Sequence, residues 1–116
     1  MSPYHHAISS AKKFGGTPED YIEIHRWFDQ TKAHVPDMRH RLILHNSLGI
    51  FICEQVFGPT ITISTGRKIP TRFVGEQHVI EDLGDIPTLQ DCLKGTPLHE
   101  WLGGRKKEKV TLSLED

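Results

Sequence analysis

The sequence predicts a mainly α-helical fold carrying one β-hairpin, an α+β arrangement, and three observations predict it. Capping residues stand beside prolines at Ser2-Pro3, Thr17-Pro18 and Pro36-Asp37, and each pair reads as a helix start. Apolar residues recur between those starts at helical spacing. The spacing then drops to two over Thr60-Ile61-Thr62-Ile63-Ser64, where β-branched residues dominate.

In order along the chain, Ser2 caps a first helix over residues 3–14, which stops at Gly15-Gly16. Thr17 caps a second, with Pro18 in its first position and Glu19 and Asp20 where the helix dipole favours acids. It runs over residues 18–33 on an apolar face of Tyr21, Ile24, Phe28 and Thr31, with Trp27 alongside. Residues 37–57 predict one long helix, apolar on most sides and therefore central and most buried. Gly49 inside it costs about 1 kcal/mol against alanine, which implies a close approach by another backbone.

Gly58-Pro59 ends that helix, and the hairpin spans about residues 60–74 around Thr65-Gly66. Pro70 has no N–H for a ladder, so its strand is an edge there. Residues 76–83, between Gly75 and Gly84, read as a short helix or a loop. Ile86-Pro87-Thr88 starts another short helix that ends at Gly95, and Thr96-Pro97 starts a last turn containing Trp101. Residues 1–104 make one globular domain. Residues 105–116 form a charged tail, expected to be flexible, in which Val110, Leu112 and Leu114 alternate as in a strand.

The 116 residues suit one domain, and a formal net charge of -1 gives no long-range pull toward nucleic acid or an anionic membrane. No apolar run reaches the roughly 20 residues a bilayer needs, and no basic segment precedes an apolar one as in a secretory leader. A cytoplasmic setting is the expectation. Cys53 and Cys92 read as reduced thiols and form no CxxC pair. No nucleotide cofactor is expected, since phosphate-loop and GxGxxG patterns are absent, as is GxSxG. His99-Glu100 lacks the second histidine of HExxH, no His-Asp dipeptide exists, and His45-Asn46 precedes the hairpin where the HNH nuclease order requires it to follow.

Histidine is the most informative residue, with 8 in the chain. It is the commonest transition-metal ligand, and carboxylates complete such sites. His25 and Asp29 stand four apart, on one helical face that continues to Lys32. They read either as a surface pair or as two metal ligands. His78 and Asp82 repeat the spacing in the polar run Gly75-Glu76-Gln77-His78-Val79-Ile80-Glu81-Asp82, read either as a solvated face or as ligands. Two such pairs facing each other would make a four-ligand site.

His40 and His45 are five apart and diverge by about 140° on one helix, so a single metal takes at most one of them through that helix. His5 and His6 are adjacent, so at most one points inward. His34 and His99 read as surface residues. Glu54 lies in an apolar stretch and needs a partner. Its options are a salt bridge to Arg39, Arg41 or Arg72, a metal ligand, or a general base. Arg39, Arg41, Arg67 and Arg72 bind a phosphate if they converge, and are structural otherwise.

Several segments occur together in order: His5-His6-Ala7, Phe14-Gly15-Gly16, Asp20-Tyr21, His25-Arg26-Trp27-Phe28-Asp29, Arg39-His40-Arg41, Gly75-Glu76-Gln77-His78 and Asp82-Leu83-Gly84-Asp85-Ile86-Pro87-Thr88. In this string the chain resembles a family of small uncharacterised bacterial and phage proteins, a domain of unknown function. The resemblance runs from Met1 to Trp101. It implies a bacterial or phage cytoplasmic setting and carries no activity.

The leading functional expectation is a histidine/carboxylate metal-binding protein. Its ligands are drawn from His25, Asp29, His40, His45, His78 and Asp82, holding zinc, manganese or iron. If it is an enzyme, it is a metal-dependent phosphoester hydrolase, with Glu54 as base and Lys32, Arg39 and Arg41 on the substrate. The alternative is a non-enzymatic phage or bacterial accessory protein acting through a protein partner or as a homo-oligomer. Nucleic-acid binding through Arg39, Arg41 and residues 105–109 is disfavoured by the neutral net charge.

Overall fold

Ser2 opens the first helix as its sequence requires. In a computed structural model that describes residues 1–103, its hydroxyl accepts the His5 N–H and starts α1 (Pro3–Phe14), with Pro3 in the first turn. Asp20 then closes a capping box on Thr17 around the turn Pro18–Asp20, and α2 (Ile22–Asp29) follows. The apolar face expected for this second helix is the buried one: Tyr21, Ile24 and Phe28 all sit in the core. A further single turn, Gln30–Ala33, ends the segment.

The long helix expected over 37–57 is broken. A short turn at Met38–His40 runs into α3 (Arg41–Leu44), and the chain then leaves helical geometry before α4 (Ser47–Phe57). Asn46 makes the break. Its backbone is extended (φ -157°, ψ 176°), and its side-chain oxygen accepts the Gly49 N–H as an N-cap. Its amide nitrogen donates to the carbonyls of Leu42 and Ile43 and so closes the end of α3 as well. Gly49 does mark a close approach, of the chain to itself: a Cβ there would stand 1.8 Å from the Leu44 carbonyl oxygen.

Two strands, β1 (Thr60–Thr62) and β2 (Lys68–Pro70), form the antiparallel hairpin in the register Thr60↔Pro70, Ile61↔Ile69, Thr62↔Lys68. The returning strand expected to reach residue 74 stops at Pro70. Thr71 ends it, because its N–H donates to the Pro59 carbonyl and its hydroxyl to that of Gly58, which turns the chain into α5 (Thr71–Leu83). The Asp20 carboxylate also accepts the N–H and the hydroxyl of Ser64, tying the hairpin to the start of α2. Thr88 and Asp91 form a capping box on α6 (Leu89–Leu93), and a last turn covers Glu100–Gly103. The tail expected over 105–116 lies outside the described residues.

Helix α5 holds the central position expected for residues 37–57. It packs on α1, α2, α4 and both strands. It runs straight through Gly75, where a Cβ would press on the Phe28 ring at 3.2 Å, and ends at Gly84 in the left-handed region (φ 83°). Helix α4 buries only one side, on Ile50 and Cys53, and leaves Leu48, Phe51 and Val56 exposed. The core runs from Ala7 through Tyr21, Ile24 and Phe28 to Ile63, Ile69, Val74 and Val79. Both cysteines are free thiols. Among the described residues no helix is long and apolar enough to cross a membrane.

Candidate metal centre

A central helix normally turns apolar residues inward; α5 turns in Gln77, His78 and Asp82 beside Val74 and Val79. His78 and Asp82 share one face one turn apart, and from the opposite side α2 presents His25 and Asp29 at the same spacing. The break between α3 and α4 supplies a third segment: with helical geometry ended at Leu44, the His45 ring is fully buried against Phe28 and His78.

Four donor atoms converge there. His45 Nε2 lies 3.1 Å from His78 Nε2, 2.9 Å from Asp82 Oδ2 and 3.5 Å from Asp29 Oδ1. His78 Nε2 lies 3.4 Å from Asp29 Oδ1 and 3.3 Å from Asp82 Oδ2. All four atoms fall within 4.8 Å of one another. A tetrahedron with edges of about 3.4 Å has its centre about 2.1 Å from each corner, the length of a zinc–imidazole or zinc–carboxylate bond. This His/carboxylate cluster is capable of holding a divalent metal ion.

A second group, His6, His25 and His78, also lies within 4.8 Å. The His6 and His78 rings are tilted by 32° with centroids 4.0 Å apart, and those of His25 and His78 are nearly parallel with centroids 5.1 Å apart. The His25 and His78 rings meet through their Nδ1 atoms, 2.9 Å apart, so those nitrogens bond each other. Both nitrogens of His6 are also engaged, Nδ1 with Glu81 Oε1 at 2.7 Å and Nε2 with Asp82 Oδ1 at 3.0 Å. Ser9 donates to the other Glu81 oxygen. The geometry makes this trio a hydrogen-bonding layer behind the first group.

The charges follow from the contacts. Burial alone would raise the Asp82 carboxyl, but the His45, His6 and His78 imidazoles against it hold it far below the usual range, and Asp29 is lowered in the same way by the His45 and His78 rings. Burial pulls the His6 and His45 imidazoles down, yet the carboxylates beside them outweigh it and raise both. No carboxylate hydrogen-bonds His25, and Asp29 and Asp82 oppose the effect of burial only weakly. Burial, with His78 and His6 beside it, pushes it down to about 2. Two carboxylates thus stay ionised in a buried pocket, an arrangement that needs cationic partners.

The site opens on one side. A cleft of about 440 Å³ is lined by Asp29, Lys32, Met38, His40, Arg41 and Asp82, with residues 1 and 2 at its rim. The Asp29 side chain is 14% exposed to it, whereas those of His45 and His78 are fully buried. Arg41 Nη2 stands 3.7 Å from Asp82 Oδ1, and Arg41 Nε is buried with no hydrogen-bond partner among the described residues.

Of the residues singled out in the sequence, Asp29, His45, His78 and Asp82 come together, and the two His-x3-Asp pairs do face each other. His25 touches His78, Nδ1 to Nδ1 at 2.9 Å, and not the four-atom group. His40 is outside it: the ring is buried, and its Nδ1 bonds the Asp37 carbonyl oxygen at 2.8 Å. Glu54 is half-buried on α4, one turn beyond Ile50, belongs to neither group and forms no ion pair among the described residues. Lys32 and Arg41 line the cleft; Arg39 points away, paired with Asp37. Arg67 bonds the Phe14 carbonyl and Arg72 lies over Phe73, so the arginines do not converge. His6, Ser10, Gln77 and Glu81 were not singled out as site residues. The signal for the first two was present: His6 and Ser10 are polar, four apart, and flank Ala7 on the face that α1 buries.

The sequence model of a family described as a domain of unknown function (DUF6915) matches residues 1–102. No curated protein and no solved structure matches the chain.

Proposed function

We propose that this chain, which belongs to the DUF6915 family, holds one divalent transition metal on Asp29, His45, His78 and Asp82 and uses it to hydrolyse a phosphoester. The observation that carries the metal is the set of donor spacings, 2.9 to 3.5 Å across three separate chain segments. Hydrogen bonding alone does not call for two imidazole Nε2 atoms 3.1 Å apart between two carboxylates. A cation at their centre satisfies all four lone pairs at once.

The hydrolytic part draws on the cleft. Lys32 and Arg41 supply positive charge beside Asp29 and Asp82, where an anionic ester would meet the metal. A metal held by these four residues would lower the pKa of a bound water and so could supply the hydroxide that hydrolysis needs. Such a hydroxide would add to phosphorus as the phosphorus–oxygen ester bond breaks, with the departing alkoxide taking a proton from solvent, and Lys32 and Arg41 would hold the anionic ester. Four protein ligands fill a tetrahedral zinc site, whereas manganese or iron in octahedral coordination keeps positions for water and substrate. Hydrolysis therefore favours manganese or iron, and zinc favours a structural centre.

Metal analysis by plasma mass spectrometry on untagged protein tests the first part, and a phosphoesterase screen with each metal tests the second. About one metal per chain, with turnover in manganese or iron and none after chelation, is the expected result. No metal above background after incubation with zinc, manganese and iron overturns the reading. The alternative, an accessory protein acting through a partner or a second copy, draws on exposed Leu48, Phe51 and Val56 of α4. A change of oligomeric state in Phe51→Asp would favour it.

A further inference from the structure

We propose that Ser10, His25 and Gln77 form a hydrogen-bonded relay that fixes His78 in the one tautomer able to bind a metal, which makes His25 a positioning residue for the centre and not one of its ligands. The relay rests on the metal reading above. It runs from α5 to α1 at Ser10, on to α2 at His25, and back to α5 at His78.

Its directions are fixed from the outer end. Gln77 Nε2 lies 3.0 Å from the His6 carbonyl oxygen and 2.9 Å from Glu81 Oε1. A carbonyl and a carboxylate only accept, so the amide donates to both and turns its Oε1 toward Ser10. The Ser10 hydroxyl has one proton and donates it to that oxygen at 2.5 Å. Ser10 Oγ is then free to accept from His25 Nε2 at 2.7 Å, which places the His25 proton on Nε2. The Nδ1 of a neutral His25 carries a lone pair, and His78 donates its Nδ1–H to it at 2.9 Å. His78 Nε2 is left bare, and it is the atom that faces Asp29, His45 and Asp82.

The inner end gives the same answer independently. A cation on His78 Nε2 takes that lone pair and leaves the ring proton on Nδ1, which then needs an acceptor. Metal-bound histidines usually donate their other N–H to a fixed partner of this kind, and loss of the partner weakens the metal. Ser10, His25 and His78 are fully buried and Gln77 nearly so, so bulk water does not stand in for a missing member.

Zinc titration against a competing chelator tests the relay in wild type, His25→Leu, His25→Asn, Ser10→Ala and Asp82→Asn. Wild type should take up about one zinc per chain and Asp82→Asn should lose it. His25→Leu should keep the stoichiometry and bind about 10- to 100-fold more weakly. His25→Asn, whose side-chain oxygen restores an acceptor near the Nδ1 position, should recover most of that loss, a rescue that mere filling of space does not explain. Ser10→Ala should weaken binding a few-fold by freeing the His25 tautomer. Long-range proton–nitrogen NMR of the zinc-loaded wild type should show the proton on Nδ1 of His78 and on Nε2 of His25. Wild-type affinity in His25→Leu, or a proton on Nδ1 of His25, overturns the relay and leaves the metal reading standing. Wild type that takes up no zinc, manganese or iron overturns both. Should His25→Leu fail to fold, Ser10→Ala and the NMR tautomers decide.

Discussion

The Nε2 atoms of His45 and His78 stand 3.1 Å apart, and at most one proton fits between them. Each also lies within 3.5 Å of oxygens from Asp29 and Asp82. If both nitrogens were protonated they would repel; if both were bare, each would present a lone pair to the other. A single shared proton joins them without a metal, and a bound ion would replace that proton and take both lone pairs, so removing any one corner should show in metal content. Asp82→Asn and His78→Ala are expected to fall from about one metal per chain to background by plasma mass spectrometry, with Lys32→Ala unchanged.

Bound metal should also stabilise the fold. Its ligands come from α2, the α3–α4 break and α5, which the unfolded chain does not bring together. At free metal about 1,000 times its Kd, the native state gains roughly 4 kcal/mol. In a domain of this size that corresponds to a rise in Tm of roughly 15 °C or more. Calorimetry with and without chelator should show the rise in wild type and none in Asp82→Asn.

Affinity should depend on pH with a definite sign. Burial lowers the His45 imidazole, but its hydrogen bonds to Asp29 and Asp82 outweigh this and raise it above 6.5. A metal must displace that proton. Affinity should therefore climb as pH rises toward the folded pKa of His45 and level off above it, by up to about tenfold per pH unit for one proton. Titration calorimetry in buffers of different ionisation heat should register proton release on the acid side of the plateau.

Without metal, acid should unfold the protein early. His25 is pushed down to about 2 in the fold, mainly by burial, while the unfolded chain protonates it near 6.5. Between those values the unfolded state holds the extra proton, so stability falls as pH falls, at up to about 1.4 kcal/mol per pH unit. Raised His6 and His45 are protonated in both states below about 6.5, so they do not oppose the trend there. Urea midpoints at pH 6, 5.5 and 5 should drop in wild type and drop less steeply in His25→Leu.

The α3–α4 break should be intolerant of change. A Cβ on Gly49 would meet the Leu44 carbonyl at 1.8 Å, so Gly49→Ala is expected to cost about 3 kcal/mol or more, unlike an ordinary helical glycine. Asn46→Ala removes the cap and the bonds to Leu42 and Ile43, for about 1 to 3 kcal/mol. Both should weaken metal binding, since the break sets His45. Wild-type metal affinity in a folded Asn46→Ala would contradict this.

How much was legible in the sequence depended on where the determining partner lay. Ser2, Thr17 and Thr88 act within three residues of themselves: α1 and α6 begin where the pattern puts them, while Thr17 caps a single 3₁₀ turn and the α-helix of that segment covers only Ile22–Asp29 of the expected 18–33. The pairs His25/Asp29 and His78/Asp82 were visible for the same reason. The break at His45-Asn46 was hidden because apolar residues continue on both sides, and only the cap bond from Asn46 to Gly49 distinguishes it from helix. His40 is held off by its bond to the Asp37 carbonyl oxygen, and Glu54 falls outside both donor groups; no spacing of apolar and polar residues encodes either. His6 reaches Glu81 and Asp82 across 75 and 76 residues of chain, and nothing near His6 in sequence signals that pairing. Asn46 and Gly49 also explain why α5 took the central position, since the break divides the apolar stretch that was read as one helix.

The full burial of His45 and His78 has a consequence in time. An exposed metal site exchanges its ion as fast as its bonds break. Here two of the four donors come free only when α5 or the His45 segment parts from its neighbours, so escape is coupled to a local opening of the fold. Chelator should then strip the ion at a rate nearly independent of chelator concentration, set by how often the bundle opens. A protein built this way would keep an ion it folded around, whatever its surroundings later offer.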